Sequence, residues 1–362
     1  MRVVIFIVLF FVSLYADKDF AVINKGDNNG SSLLVIAGIQ GDEAGGYMAA
    51  NLLMQRYSIN NGKVVIVPNL NKKSILKNHR GIDGDMNRKF REIDKKDPDF
   101  KIVEDIKKII LDPSVDMVLH LHDGSGFFRP THINTLENPT RWGQCSIIDM
   151  ESMGSGKHSN LYEIATFVVE NINKSKLKEQ HKYHVKNTNT PELKSFEQQE
   201  MAKTLTYFSV TNNKPAFANE ASKELSLEEK VYYHLSAIES YMKLLNIEFR
   251  RDFELAPSVI KREMYTNQYL SLYNDRFYLP LERLRSTIGY VPFKKGGSVE
   301  YDSSTPLIVL DKNRNNFDLY YGMERVSVLE PEYLEFGDFI GGIPFVIDGK
   351  DVLGEFGKIY DV

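Results

Sequence analysis

Only one of the 362 residues is cysteine, Cys145, and only one is tryptophan, Trp142. A single thiol excludes an intramolecular disulfide framework. Charge of one sign is also missing, because 45 Lys and Arg stand against 49 Asp and Glu, a formal net charge of −4. A chain this evenly balanced has no electrostatic footprint for nucleic acid or for an anionic membrane surface. Internal repeats and low-complexity tracts are absent as well. Beyond residue 16 no apolar run approaches the roughly 20 residues a helix needs to cross a bilayer, so no stable membrane span is expected. What is present is an ordinary globular composition, 42% apolar and 26% charged. That excludes a disordered, collagenous or coiled-coil chain, and the length suits two domains.

The first 16 residues, MRVVIFIVLFFVSLYA, carry Arg2, an apolar run from Val3 to Leu14 and small Ala16. This is the pattern of a cleaved signal peptide over residues 1–16; about 12 apolar residues are too few for an anchor. An exported chain without disulfides, opening with so short a signal, points to a bacterial periplasmic protein.

Three continuous apolar runs, Ser31–Gly38, Lys63–Leu70 and Val115–Gly124, read as strands buried on both faces. Between and after them, Glu43–Tyr57, Phe100–Leu111, Ser159–Asn173 and Leu227–Leu245 read as helices. Alternating strands and helices through about residue 245 predict an α/β domain with a mainly parallel sheet. After Ile247 short β-branched and aromatic runs separated by Gly, Pro, Asn and Asp predict an all-β module. The polar stretch His181–Gln199 reads as a surface loop entering a short helix.

Two attractive motifs fail. MGSGKHS, Met153–Ser159, has Glu151 where a phosphate loop needs its first glycine, and DGSG, Asp123–Gly126, lacks the spacing of a nucleophile elbow. The informative residues lie at the ends of the expected buried strands, where open α/β sheets form their ligand crevice. GIQGDEAGG places Gln40 and Glu43 three residues apart on one turn. LHLHDG places His120 and His122 on one strand face, with His122 nearer the open end and the better metal ligand; His120 reads as a core residue. NHRGIDGDMNRKF carries Arg80, Asn87 and Arg88, guanidinium groups suited to a carboxylate. KPAFANEASK carries Glu220, after a short extended segment read over Leu205–Val210 and Pro215–Ala218. Each cluster alone has an ordinary explanation: a cap, a core histidine, a solvated basic turn, a surface glutamate.

In order, Q-x-x-E, G-D-x-N-R, a strand ending in histidine and a late A-N-E resemble the zinc carboxypeptidase family whose type member is carboxypeptidase A. The resemblance implies a carboxypeptidase-like α/β fold, with a mixed, mainly parallel sheet flanked by helices, over residues 17–247, then over 248–362 the smaller β-rich module, alone or with the start of another. It implies one zinc ion per chain on Gln40, Glu43 and His122. Asn87 and Arg88 match the binders of the substrate's terminal carboxylate, Glu220 the catalytic base, and Arg80 the arginine that polarises the scissile carbonyl. Gln40 departs from the family's histidine, and an amide oxygen is a weaker zinc donor than imidazole. The departure is similar to a subgroup, the periplasmic peptidoglycan DL-carboxypeptidases that set helical cell shape. LHLHDGSGFFRP and NPTRWGQCSIID strengthen that likeness. It implies a murein stem tripeptide as substrate, with diaminopimelate released, and leaves the β module open to cell-wall protein partners. Rival readings are an aspartoacylase-like deacylase and a wall-peptide-binding protein that has lost its metal.

Overall fold

The computed structural model describes residues 19–27, 29–273, 277–295, 299–334 and 343–354, so the expected signal peptide lies outside the described residues. At its centre is a seven-stranded sheet in the order Ile23–Gly26, Lys63–Val67, Ser32–Ile36, Met117–Gly124, Ala216–Ser222, Cys145–Ile148, His184–Asn187. Ile23–Gly26 runs antiparallel to Lys63–Val67, and Ala216–Ser222 antiparallel to Cys145–Ile148; the other neighbours run parallel. Leucine, valine and isoleucine supply most of the apolar residues of the three inner strands expected from the sequence, and apart from half-buried Lys63 these strands are buried throughout. The mixed, mainly parallel sheet of the sequence reading is what forms.

Helices cover the sheet because their apolar residues fall on one stripe. In Phe100–Ile110 the buried positions are Ile102, Val103, Ile106 and Ile110, the spacing of a single helical face. Leu227–Leu244 starts in a capping box, Ser226 accepting from the Glu229 amide and Glu229 from the Ser226 amide, so two otherwise unpaired donors are satisfied.

Three segments differ from the sequence reading. His184–Asn187, expected as loop, is the edge strand beside Cys145–Ile148. Its Lys186 stem is buried, with the ammonium 3.7 Å from the Trp142 ring centre and bonded to the Pro139 and Arg141 carbonyls; this lets a polar residue sit inside. Leu205–Thr211, expected as extended, is a helix capped by the Thr204 side chain. A cap and one buried face outweigh the weak strand preference of its Thr, Tyr, Phe and Val residues. Ala216–Ser222 continues as a strand through Glu220 instead of ending at Ala218.

The expected boundary near 247 falls inside packed structure. Glu248–Arg251 pairs antiparallel with Tyr57–Asn61, and the helix Pro257–Glu263 lies on Leu227–Leu244. Arg56 holds both Asp252, at 2.9 Å, and Glu263. Beyond this the described chain is all β: a three-stranded sheet (Phe277–Pro280, Tyr269–Leu272, Tyr301–Ser303), a four-stranded sheet (Thr287–Lys294, Glu324–Leu334, Asn316–Tyr321, Ile308–Asn313) and a hairpin, Ile343–Ile347 with Lys350–Gly354. The four-stranded sheet reaches the helix Ala44–Arg56. Tyr321 donates to the Met264 carbonyl at 2.6 Å and accepts from Asn51 at 3.0 Å, while Thr305 donates to Asn51. Gly322, at φ +58°, leaves room for Tyr47, whose ring would lie 2.9 Å from any Cβ there.

Asp149, just past the Cys145–Ile148 strand, is fully buried, and Thr190 and Thr188 donate to it at 2.6 and 3.4 Å. Burial pushes its carboxyl up to about 6, more than the threonine hydroxyls pull it down. The folded chain therefore holds this proton to higher pH than the unfolded chain, whose carboxyl titrates near about 4. The consequence is a stability loss of about 3 kcal/mol as pH rises from about 4 through 6. In denaturant unfolding at pH 4.5 and 7, Asp149→Asn will show a shallower pH slope than the native chain; equal slopes refute the assignment.

Candidate active site

The parallel register sets Glu220 beside His122, and paired residues on adjacent parallel strands project from the same face. Gln40 and Glu43 occupy the turn between the strand Ser32–Ile36 and the helix Ala44–Arg56. Arg80 lies on the following crossover, and Asn87 and Arg88 on the one-turn helix Met86–Arg88, which Asp85 caps. All seven residues line one cleft of about 300 Å³, with Ser125, Trp142, Ile147, Met201, Thr206 and Lys223 among its other walls.

His122 is the hub. Its Nδ1 lies 3.0 Å from Gln40 Oε1 and 2.8 Å from Glu43 Oε2, and its Nε2 lies 3.0 Å from His120 Nδ1. Nδ1 can carry at most one proton, yet two oxygens close on it. Gln40 is held oxygen-inward because its amide nitrogen donates to Asp85 at 2.9 Å. Burial, with Arg80 nearby, holds His122 down to about 3, so its ring is neutral and has a lone pair to give. The tautomer that frees Nδ1 places the proton on Nε2, facing His120, and a partner at the far nitrogen is what orients a ligating imidazole. His120 is fully buried, as the core residue of the sequence reading, and its Nδ1 is the partner of His122 Nε2. Two oxygens and one ring nitrogen within 3.0 Å suit a borderline divalent cation. Among the described residues no three His, Cys, Asp or Glu side chains cluster for a metal; the set here is two such side chains, Glu43 and His122, with the amide oxygen of Gln40 beside them.

Glu43 and Glu220 are both buried, and both carboxyls lie well above the ordinary range, chiefly through burial; Asp123 is the next cause for Glu43 and Glu43 itself for Glu220. A raised carboxyl aimed into a cleft is the state suited to exchanging protons near neutral pH. Arg80 donates from Nε to Asp85 at 3.0 Å and reaches Glu43 at 3.5 Å. Arg88 lies 3.5 Å from Glu200 and 4.0 Å from Asp85, and Asn87 accepts from the Leu205 amide at 3.0 Å.

Several supporting residues carry no sequence signal of their own. Asp85 lies two residues before Asn87 and grips both Gln40 and Arg80. Asp123 follows His122 and accepts from the Gly45 amide at 2.8 Å, from His234 at 3.0 Å and from Lys230 at 3.3 Å, while its own amide donates to Glu43 at 3.2 Å. Burial raises the Asp123 carboxyl, but His234, Lys230 and the Gly45 amide outweigh it and leave it below the usual range. Gly45 has no room for a side chain, since a Cβ would meet Asp123 Oδ1 at 2.5 Å. Asp123 thus fixes the turn that presents Glu43.

The family described as "Carboxypeptidase controlling helical cell shape catalytic" matches residues 2–264. No curated protein sequence matches the chain. Among solved structures, the tripeptide-bound cell shape determinant Csd4 of Helicobacter pylori is 40% identical, covers 93% of this chain and 83% of its own, and superposes with a TM-score of 0.86. The same protein's apo form gives 40% identity, 93% and 82% coverage and a TM-score of 0.87. Its mDAP-bound form, described as that of a D,L-carboxypeptidase, gives 40% identity, 91% and 80% coverage and 0.85. With a family match over more than half its length and this identity across nearly all of it, the chain belongs to the carboxypeptidases that control helical cell shape.

Proposed function

We propose that this carboxypeptidase trims the murein stem tripeptide, L-Ala-γ-D-Glu-meso-diaminopimelate, by hydrolysing its last amide and releasing diaminopimelate. The observation that carries this reading is one cleft lined by a raised glutamate, a histidine with two inward oxygens, and Arg88 with Asn87. The solved relative is recorded with tripeptide and with mDAP bound. Family membership favours it over the deacylase, and a base such as Glu220 is of no use to a mere binder.

Gln40, Glu43 and His122 would hold one zinc ion. Bound there, zinc supplies Lewis-acid polarisation of the scissile carbonyl and acidifies a water. Arg88 and Asn87 fix the terminal carboxylate, which sets the last amide over the His122–Glu220 rung. Glu220 takes the proton from the attacking water and passes it to the departing amine. Arg80 donates to the oxyanion as it develops. Export to the periplasm belongs to the same reading, since murein is outside the cytoplasm. The catalytic unit runs through Met264, beyond the boundary near 247, because residues 248–264 are laid on the α/β part. The β module then offers the surface for cell-wall protein partners.

Purified protein incubated with the tripeptide will release free diaminopimelate; a chelator will stop the release and added zinc will restore it. Tetrapeptide will yield no D-Ala. Release of D-Ala, or turnover indifferent to chelation, refutes the proposal.

A further inference from the structure

One cation in the cleft has no part in the chemistry above. Lys223, three residues past Glu220, lines the cleft with its side chain 34% exposed. Its ammonium lies 2.6 Å from Asp42 and 4.0 Å from Glu43. Its backbone amide donates to the Gly124 carbonyl at 2.7 Å, which ties the residue to the strand end that carries His122. Side-chain contacts run from Lys223 to Glu43, from Glu43 to His122 and from His122 to Asn87, beside which Arg88 stands. Lys223 and Arg88 therefore stand at the two ends of a chain of contacts that has the Glu43–His122 pair at its middle. If Arg88 takes the carboxylate on the leaving side of the scissile amide, Lys223 stands on the acyl side.

The acyl side of the proposed substrate carries a charge that ordinary peptides lack. A D-glutamyl residue linked through its side-chain carboxyl keeps its α-carboxylate free, separated from the scissile carbonyl by two methylenes and the α-carbon. We propose that Lys223 binds this α-carboxylate and so selects γ-linked acidic peptides. Asp42 occupies one ammonium proton and holds the side chain over the cleft, and an ammonium has two further protons to donate to a ligand. An isoglutaminyl peptide, in which that carboxylate is a neutral amide, loses the pairing.

The proposal rests on the tripeptide reading, and its test keeps the two apart. Diaminopimelate release is measured on L-Ala-γ-D-Glu-diaminopimelate and on the same peptide with the glutamyl α-carboxylate amidated. The native enzyme will prefer the free acid by about tenfold, mainly through KM, the size expected of a hydrogen bond between charged groups. Lys223→Met will bring the ratio close to one, and Lys223→Arg will retain most of the preference. A purely structural lysine lowers turnover of both peptides together and leaves the ratio unchanged, which overturns the proposal. A native ratio near one overturns it without any variant. No release from either peptide rejects the tripeptide reading itself.

Discussion

Glu220→Gln will bind zinc and tripeptide as the native enzyme does and lose turnover by about 10²–10⁴-fold, the range that a general acid–base group contributes. The substitution keeps shape and one oxygen, and removes only the group that can accept and return a proton. It also removes a buried carboxyl that burial and the neighbouring Glu43 push upward, so the variant should be no less stable than the native chain. Zinc content, binding isotherms and single-turnover rates on one preparation separate these quantities. Turnover within a few-fold of native moves the base to another residue and ends the assignment.

A tripeptide amidated at its C-terminus will be cleaved about a hundredfold less efficiently than the free acid, the loss expected when a charge-assisted, two-pronged contact is left unmade. Arg88→Lys will lose most of this discrimination, because an ammonium is a point charge and cannot reproduce the planar fork. Arg88 now faces the carboxylates of Glu200 and Asp85, both partly exposed, so its replacement will change melting temperature little. Equal cleavage of acid and amide by the native enzyme rejects the terminal-carboxylate site and turns the reading towards an endopeptidase.

The order of the site residues along the chain was legible because each sits at a strand end or on a turn with its own local pattern. The inner strands were legible because Ser32–Ile36, Lys63–Val67 and Met117–Gly124 are mostly apolar. The strand Ala216–Ser222 was less so. Its residues, AFANEAS, bury Asn219, Glu220 and Ser222 for use, and a strand that delivers chemistry loses the apolar texture by which strands are recognised. His184–Asn187 was hidden for a related reason, since Lys186 is buried through the Trp142 ring and the Pro139 and Arg141 carbonyls, more than 40 residues earlier in the chain. Asp123 and His234 meet across 111 residues. Such partners are set by register and helix packing, and no local pattern carries them.

The helix Ala44–Arg56 begins at the residue after Glu43 and carries, a few residues on, Tyr47 and Asn51, which the β module covers. Buried Asn51 has Thr305 and Tyr321 as its partners, and Tyr47 sits over Gly322. In evolutionary terms the module cannot be exchanged like a bead on a string. A recombination that replaced it would leave Asn51 and Tyr47 without their partners, on the very helix that starts beside a proposed metal ligand. Selection acting on the peptidase therefore reaches Thr305, Tyr321 and Gly322, and the two parts are bound to be inherited together.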